Sequence, residues 1–183
     1  EGRGKRIPLS AEQLKIAARV SVGIPSVAEE IQIRHLVCQI EMIEEQLSEI
    51  DKKIEEFSLQ NNSPILSIPG ISHFSGTSIL AELGDIRNYT KASQIIKFAG
   101  VAPYHYESSQ FTAQHTAITK KGSKYLRKTL YQIILPVINL NMVFTAYYCK
   151  KLVEGKGHRC AQGHCIRKLL RIIYHLLSTG QTF

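Results

Sequence analysis

The residues best suited to chemistry on a phosphate are two adjacent serines and the cations that follow them. Ser108 and Ser109 lie in the polar, aromatic run Tyr104-His105-Tyr106-Glu107-Ser108-Ser109-Gln110. A serine hydroxyl attacks a phosphodiester only when its proton is removed and the phosphate is held by cations. On their own, serines in such a run are ordinary surface residues. Downstream come Lys120, Lys121, Lys124, Arg127 and Lys128. Lys120, Lys124 and Lys128 are spaced i, i+4, i+8 and would share one helix face, with Tyr125, Leu126 and Leu130 on the other side. A cationic stripe ahead of a buried face suits a phosphate backbone; the alternative is a solvated helix face.

A second phosphate-binding candidate is the turn Pro69-Gly70-Ile71-Ser72 between two apolar segments. It has the form of a helix–hairpin–helix. Gly70 permits backbone geometry closed to other residues. The free amides of Gly70, Ile71 and Ser72 at the start of the second helix, with the helix dipole, suit a phosphate. Such contacts grip the DNA backbone without reading sequence. The alternative is a helical hairpin that serves only the core.

Two metal arrangements are disfavoured. His158, Cys160, His164 and Cys165 crowd into one stretch, whereas zinc usually takes ligands in separated pairs. Residues 61–183 contain only Glu82, Asp85, Glu107 and Glu154 as acids, and no spacing brings two of them together. The metal set is therefore read as none, and any metal that serves cleavage must be held elsewhere.

The elements that must position these residues follow from charge and periodicity. Residues 1–60 carry 8 Lys/Arg against 11 Asp/Glu, and residues 61–183 carry 15 against 4. A basic module behind an acidic arm points to a polyanion, most simply nucleic acid; the alternative is a solubilising surface. Hydrophobic residues make up 44% of the 183, enough for a packed core. No apolar run approaches the ~18–20 residues that cross a bilayer, and no signal-peptide core is present. The four cysteines, Cys38, Cys149, Cys160 and Cys165, are scattered and read as free thiols of a cytoplasmic protein. The chain opens without Met, which reads as an internal boundary of a longer protein.

Residues 1–25 form a boundary segment with a short helix over Ala11–Val20, started by Ser10 and ended by Gly23-Ile24-Pro25. Residues 26–60 form a coiled-coil helix, with Ser26 and Glu29 as a capping box. Ile33, Ile40, Leu47 and Ile54 fall seven apart, and so do Leu36, Ile43, Ile50 and Phe57. This a/d seam predicts a helix roughly 40 Å long that wants a partner. The favoured partner is another chain. The alternatives are the preceding short helix folded back and an amphipathic helix packed on its own domain. Residues 64–183 form the helical domain. Helices are expected up to Gly84, over about Ser93–Phe98, over Lys120–Tyr148 with a break or kink at Pro136, and over Cys165–Ser178 after a Glu154–Gly157 turn. Tyr104–Thr119 reads as loop or short hairpin. The fold class is mainly α: a coiled-coil arm plus a compact helical domain with a helix–hairpin–helix-like motif and an irregular serine loop.

An ordered set of motifs then carries a resemblance. Ile68-Pro69-Gly70-Ile71, Phe98-Ala99-Gly100-Val101-Ala102-Pro103, Tyr106-Glu107-Ser108, Thr119-Lys120-Lys121-Gly122-Ser123-Lys124-Tyr125-Leu126-Arg127-Lys128 and Arg167-Lys168-Leu169-Leu170-Arg171-Ile172-Ile173-Tyr174 together resemble the C-terminal domain of DEDD-type insertion-sequence transposases. That group includes bridge-RNA-guided recombinases and pilin-inversion relatives. The resemblance spans about residues 64–183. It implies a two-part active site, with an N-terminal RuvC-like domain holding divalent metal and a C-terminal serine forming a covalent phosphoserine intermediate with DNA. It also implies a coiled coil between the two, multimers acting on two DNAs, and in some members a structured guide RNA. The serine it implies here is Ser108. The family pattern has Gly after this serine, where this chain has Ser109. The chain therefore reads as a nucleoid-associated DNA-transposition module that holds no cofactor itself and lacks the partner domain. The alternative is a non-catalytic DNA-binding and oligomerisation module.

Overall fold

A computed structural model of the chain describes residues 10–21, 26–104, 107–108, 111–112 and 117–183. Ser10 starts α1 (Ala11–Arg19) with a reciprocal capping box. Its Oγ accepts from Gln13 N at 3.2 Å, and its own N–H donates to Gln13 Oε1 at 3.0 Å. The expected stop at Gly23-Ile24-Pro25 lies outside the described residues. Ser26 Oγ accepts from Glu29 N at 3.4 Å and opens α2 (Val27–Asn61).

The α2 helix carries its heptad seam on an open face. Ile33, Leu36, Ile40, Ile43, Leu47, Ile50 and Phe57 each expose between 50% and 62% of their surface. Arg34–Glu30 and Lys53–Glu49 pair off the seam at 2.8 Å each. Exposed i, i+4 pairs of this kind add a few tenths of a kcal/mol to a helix. They favour the helix without covering its apolar side. The only buried residue of α2 is Ser58, whose Oγ lies 3.0 Å from His73 Nδ1. The chain divides into two units, 1–47 and 48–183, with the boundary inside α2.

In the second unit a 3-10 turn over Pro64–Ser67 leads through the Pro69-Gly70 turn into α3 (His73–Leu83), which ends at Gly84. A 3-10 turn over Ile86–Asn88 and α4 (Ala92–Phe98) follow. Then come β1 (Glu107–Ser108), β2 (Phe111–Thr112), α5 (Lys124–Leu140), α6 (Met142–Val153) and α7 (His158–Thr179). The fold is mainly α. The serine segment takes the hairpin form of the two expected: β1 and β2 pair antiparallel, Glu107 opposite Thr112 and Ser108 opposite Phe111.

The α7 helix is the spine of the core. Cys165, Ile166, Leu169, Leu170, Ile173 and Leu176 recur at helical spacing and are all buried. They pack with Leu126, Leu130, Ile134 and Val137 of α5, Ile95 of α4, Phe144 of α6 and Ile79 of α3. The helix begins at His158 rather than Cys165, because Gly157 caps it and Ala161, Gln162 and Gly163 are already buried.

Two expectations about residues 120–148 are corrected. The helix starts at Lys124, because Ser123 Oγ accepts from Leu126 N at 3.0 Å and caps it. Lys120 precedes the helix and has φ +53°. The break falls at Asn141, not at Pro136, which stays inside α5. Asn141 Oδ1 accepts from Val143 N at 2.9 Å and Phe144 N at 3.4 Å. That cap starts α6 at 105° to α5. No single described helix is long and apolar enough to cross a membrane.

Candidate nucleic-acid interface

The frame of the site is a close crossing of two motifs, Phe98–Tyr104 and Ala117–Ser123. Four backbone bonds join them: Tyr104 N to Ala117 O at 2.8 Å, Thr119 N to Ala102 O at 2.9 Å, Lys120 N to Gly100 O at 3.0 Å and Ser123 N to Phe98 O at 2.7 Å. Gly122 (φ +119°) lies so near that a Cβ on it would sit 2.1 Å from the Phe98 carbonyl oxygen. Only glycine supplies both that φ and that approach. The crossing flanks the segment that contains Ser108 and leads directly into α5.

Arg127 secures the same crossing. Its Nη1 donates to Ala99 O at 3.2 Å, Lys120 O at 3.3 Å and Ser123 O at 3.5 Å. This guanidinium was expected to hold phosphate; one of its nitrogens holds the loop, while the side chain also lines the groove described next. Ser123 Oγ donates to Glu82 Oε2 at 2.5 Å, so α3 helps orient the first turn of α5.

Lys120, Lys124, Arg127 and Lys128 line a groove of about 330 Å³ with Ile118, Tyr131 and Arg159. The i, i+4, i+8 argument is replaced by a different geometry: Lys120 joins Lys124 and Lys128 from the loop, not from the helix. Lys121 is exposed but does not line the groove. Leu126 and Leu130 take the buried side as expected, whereas Tyr125 is exposed, with Lys124 Nζ 4.9 Å from its ring centre. Arg159, from the first turn of α7, was not anticipated, because its place beside α5 follows from tertiary packing. Among the described residues, none of Lys120, Lys124, Lys128 and Arg159 pairs with a carboxylate.

Ser108 pairs with Phe111 at the hairpin. Ser109 lies outside the described residues, as do His105, Tyr106 and Gln110. The second candidate, the Pro69-Gly70 turn, proves to be tied to the core. A Cβ on Gly70 (φ +97°) would sit 2.6 Å from Val137 N and 2.8 Å from the Pro136 carbonyl carbon. Gly70 therefore presses backbone to backbone on α5, and Ile71 is buried. Ile71 N donates to Ile68 O, Ser72 N to Ser75 Oγ, and Ser75 N to Ser72 Oγ. The remaining first-turn donors of α3 are the amides of His73 and Phe74.

Three acids of the helical domain are engaged in other bonds. Asp85 binds Arg87, whose hydrogen bonds hold the carboxyl below its ordinary value. Glu154 binds Lys151 at 2.7 Å. Glu82 is bound to Ser123, and among the described residues no three of the His, Cys, Asp and Glu side chains come together. His158 Nδ1 is hydrogen-bonded to Tyr148 Oη, and its Nε2 lies 3.0 Å from Gln162 Nε2. His164 is held below the ordinary histidine value by burial and by nearby Arg167, Lys151 and Lys156. Cys165 is in the core, where burial pushes its thiol up to about 11, while Cys160 is exposed.

Residues 62–149 match the Transposase IS116/IS110/IS902 family. The chain is 24% identical over 155 residues to the pilin gene-inverting protein of Moraxella bovis, covering 82% of this chain and 47% of that protein. It is 24% identical over 181 residues to the insertion element IS116 uncharacterized 44.8 kDa protein of Streptomyces clavuligerus, covering 96% and 44%. It is 26% identical over 122 residues to the transposase for insertion sequence element IS1111A of Coxiella burnetii, covering 65% and 33%. The chain thus spans less than half the length of these curated relatives. The stretch from the Pro-Gly turn to α6, with Ser108 and every cation of the groove but Arg159, is similar to the transposases of the IS116/IS110/IS902 family.

Proposed function

We propose that this chain is the DNA-binding, serine-bearing part of an IS116/IS110/IS902-family transposase, catalysing DNA strand exchange with a RuvC-like domain outside it. The observation that carries this reading is a groove of cations without carboxylate partners, built on the crossing that flanks the Ser108 segment in the chain. Lys120, Lys124 and Lys128 hold phosphate, and Lys121 adds positive field outside the groove. Arg127 positions the loop. The α3 turn adds backbone contacts through the amides of His73 and Phe74, with Gly70, Ile71 and Ser72 as their support. Ser108 Oγ forms a bond to phosphorus while one phosphorus–oxygen bond to a flanking sugar breaks. The proton leaves to a base outside this chain, where the resemblance also places the divalent metal. The exposed α2 seam pairs with a second copy. A structured guide RNA is a further polyanion compatible with the same charge.

The test uses the protein with its metal-binding domain and any required RNA. An adduct with DNA that resists denaturation is expected. Ser108→Ala abolishes it and leaves DNA binding nearly intact, because one hydroxyl contributes little to a charge-driven complex. Ser109→Ala keeps it. The opposite pair of outcomes moves the nucleophile to Ser109, and an adduct in both variants ends the serine mechanism. A second reading, a non-catalytic DNA-binding and oligomerisation module, rests on the groove cations and the open α2 seam alone. Under that reading no adduct forms in any context while DNA binding persists.

A further inference from the structure

The groove at the crossing combines charge with an apolar wall. Lys120, Lys124, Lys128 and Arg159 stand around it without a carboxylate partner among the described residues. Ile118 and Tyr131 supply apolar surface between them. Tyr131 is half-buried between α5 and α7, and its hydroxyl would be 3.7 Å from a Cβ on Gly163. That hydroxyl makes no hydrogen bond within the described residues, so it is a free polar group on an aromatic wall. The groove also lies by the first turns of α5 and α7, neither of which contains an acid. Both helix dipoles therefore add to the positive field instead of being neutralised locally.

Size selects among anions. A volume of about 330 Å³ sits at the small end of ligand pockets. A duplex presents its phosphates on a convex cylinder with its bases stacked inside. It can lie across such a groove but cannot fill it. An unpaired nucleotide offers the complementary shape, with a flat face for an aromatic side chain and a phosphate for the cations.

We propose that this groove takes one unpaired nucleotide, its base against Tyr131 and Ile118 and its phosphate among Lys120, Lys124, Lys128 and Arg159. The inference rests on the reading of the chain as nucleic-acid-binding and specifies the form of the strand that it holds. It also makes Arg159 a phosphate-binding residue and Tyr131 the stacking residue of the site.

The test measures binding of the 183-residue chain to short labelled oligo-dT, oligo-U and a duplex at several salt concentrations. Folding of each variant is checked by circular dichroism. Tyr131→Leu is expected to weaken single-strand binding by about 5–150-fold, the equivalent of the ~1–3 kcal/mol that one base–aromatic stack supplies. Tyr131→Phe keeps the affinity, and duplex binding changes little in either variant. Arg159→Ala, at an exposed position, lowers the single-strand salt slope by about 0.7. Tighter oligo-dT binding assigns the nucleotide to DNA and tighter oligo-U binding to RNA; both support the groove. Duplex binding with no single-strand response to Tyr131→Leu or Arg159→Ala overturns the nucleotide groove and leaves the nucleic-acid reading standing. Binding to none of the three overturns both.

Discussion

Replacing Gly122 by Ala separates the crossing that flanks the Ser108 segment from general glycine effects. At φ +119° the new residue sits outside the conformations open to L side chains, a strain of ~1–3 kcal/mol. Its Cβ would also lie 2.1 Å from the Phe98 carbonyl oxygen. The Cβ is fixed by its own backbone and meets backbone, so no rotamer change relieves the overlap, and the two segments must separate. Separation breaks the 2.7 Å bond from Ser123 N to Phe98 O, which costs ~1–3 kcal/mol if the donor stays unpaired. The combined loss is about 2–6 kcal/mol, a large part of the ~5–15 kcal/mol that stabilises a typical domain. Gly180→Ala is the control. Gly180 ends α7 with φ +72° in the left-handed region and has open space around it, so only about 1 kcal/mol is expected. Urea unfolding reads both, through shifts in midpoint at constant slope. Equal midpoint shifts for Gly122→Ala and Gly180→Ala would refute the claim that close approach adds to φ in dictating glycine at 122.

Three further outcomes follow from the same geometry. Converting Lys120, Lys124 and Lys128 to Ala lowers the duplex salt slope by about 0.9 for each phosphate no longer neutralised; an unchanged slope places the DNA elsewhere. Ile40→Asp with Leu47→Asp shifts the protein to monomer in sedimentation, because the seam they interrupt is open in the single chain; wild type that is already monomeric at high concentration refutes the pairing. The folded state disfavours the charged form of His164. The stability it permits is complete above the ordinary value of 6.5 and falls as pH drops from there toward the depressed folded value. His164→Gln should flatten that acid limb of the urea midpoint, and an unaltered limb assigns the pH dependence to other groups.

Local chemistry made much of this fold legible. Ser10 and Ser26 announced their helices because short polar side chains before an apolar period satisfy the open amides of a first turn. The α2 seam was readable because its period is a property of sequence alone. What was not readable depends on approach between distant segments. That Gly70 presses on α5 was not legible, since its φ is the same whether it faces DNA or the backbone of α5. Lys120 fitted a helical stripe until Ser123, capped to Leu126 and bound to Glu82, fixed the helix start after it. That Arg127 also holds the loop was not legible, because nothing local reveals that Ala99 and Lys120 direct their carbonyls at it. Arg159 and Tyr131 were missed for the same reason: only the packing of α7 beside α5 brings them to one groove.

The four backbone bonds between Phe98–Tyr104 and Ala117–Ser123 also divide labour along the chain. The ends of the intervening segment are fixed by the crossing itself, so the entropy of closing that loop is met at its base. Past such a closure, extra length is inexpensive: each doubling adds only about 0.6 kcal/mol. Residues between the two anchors can therefore be lengthened, shortened or exchanged with little effect on the helical core, provided Gly100, Gly122 and Arg127 stay. The hairpin that bears Ser108 is in this sense an interchangeable tip on a standard socket.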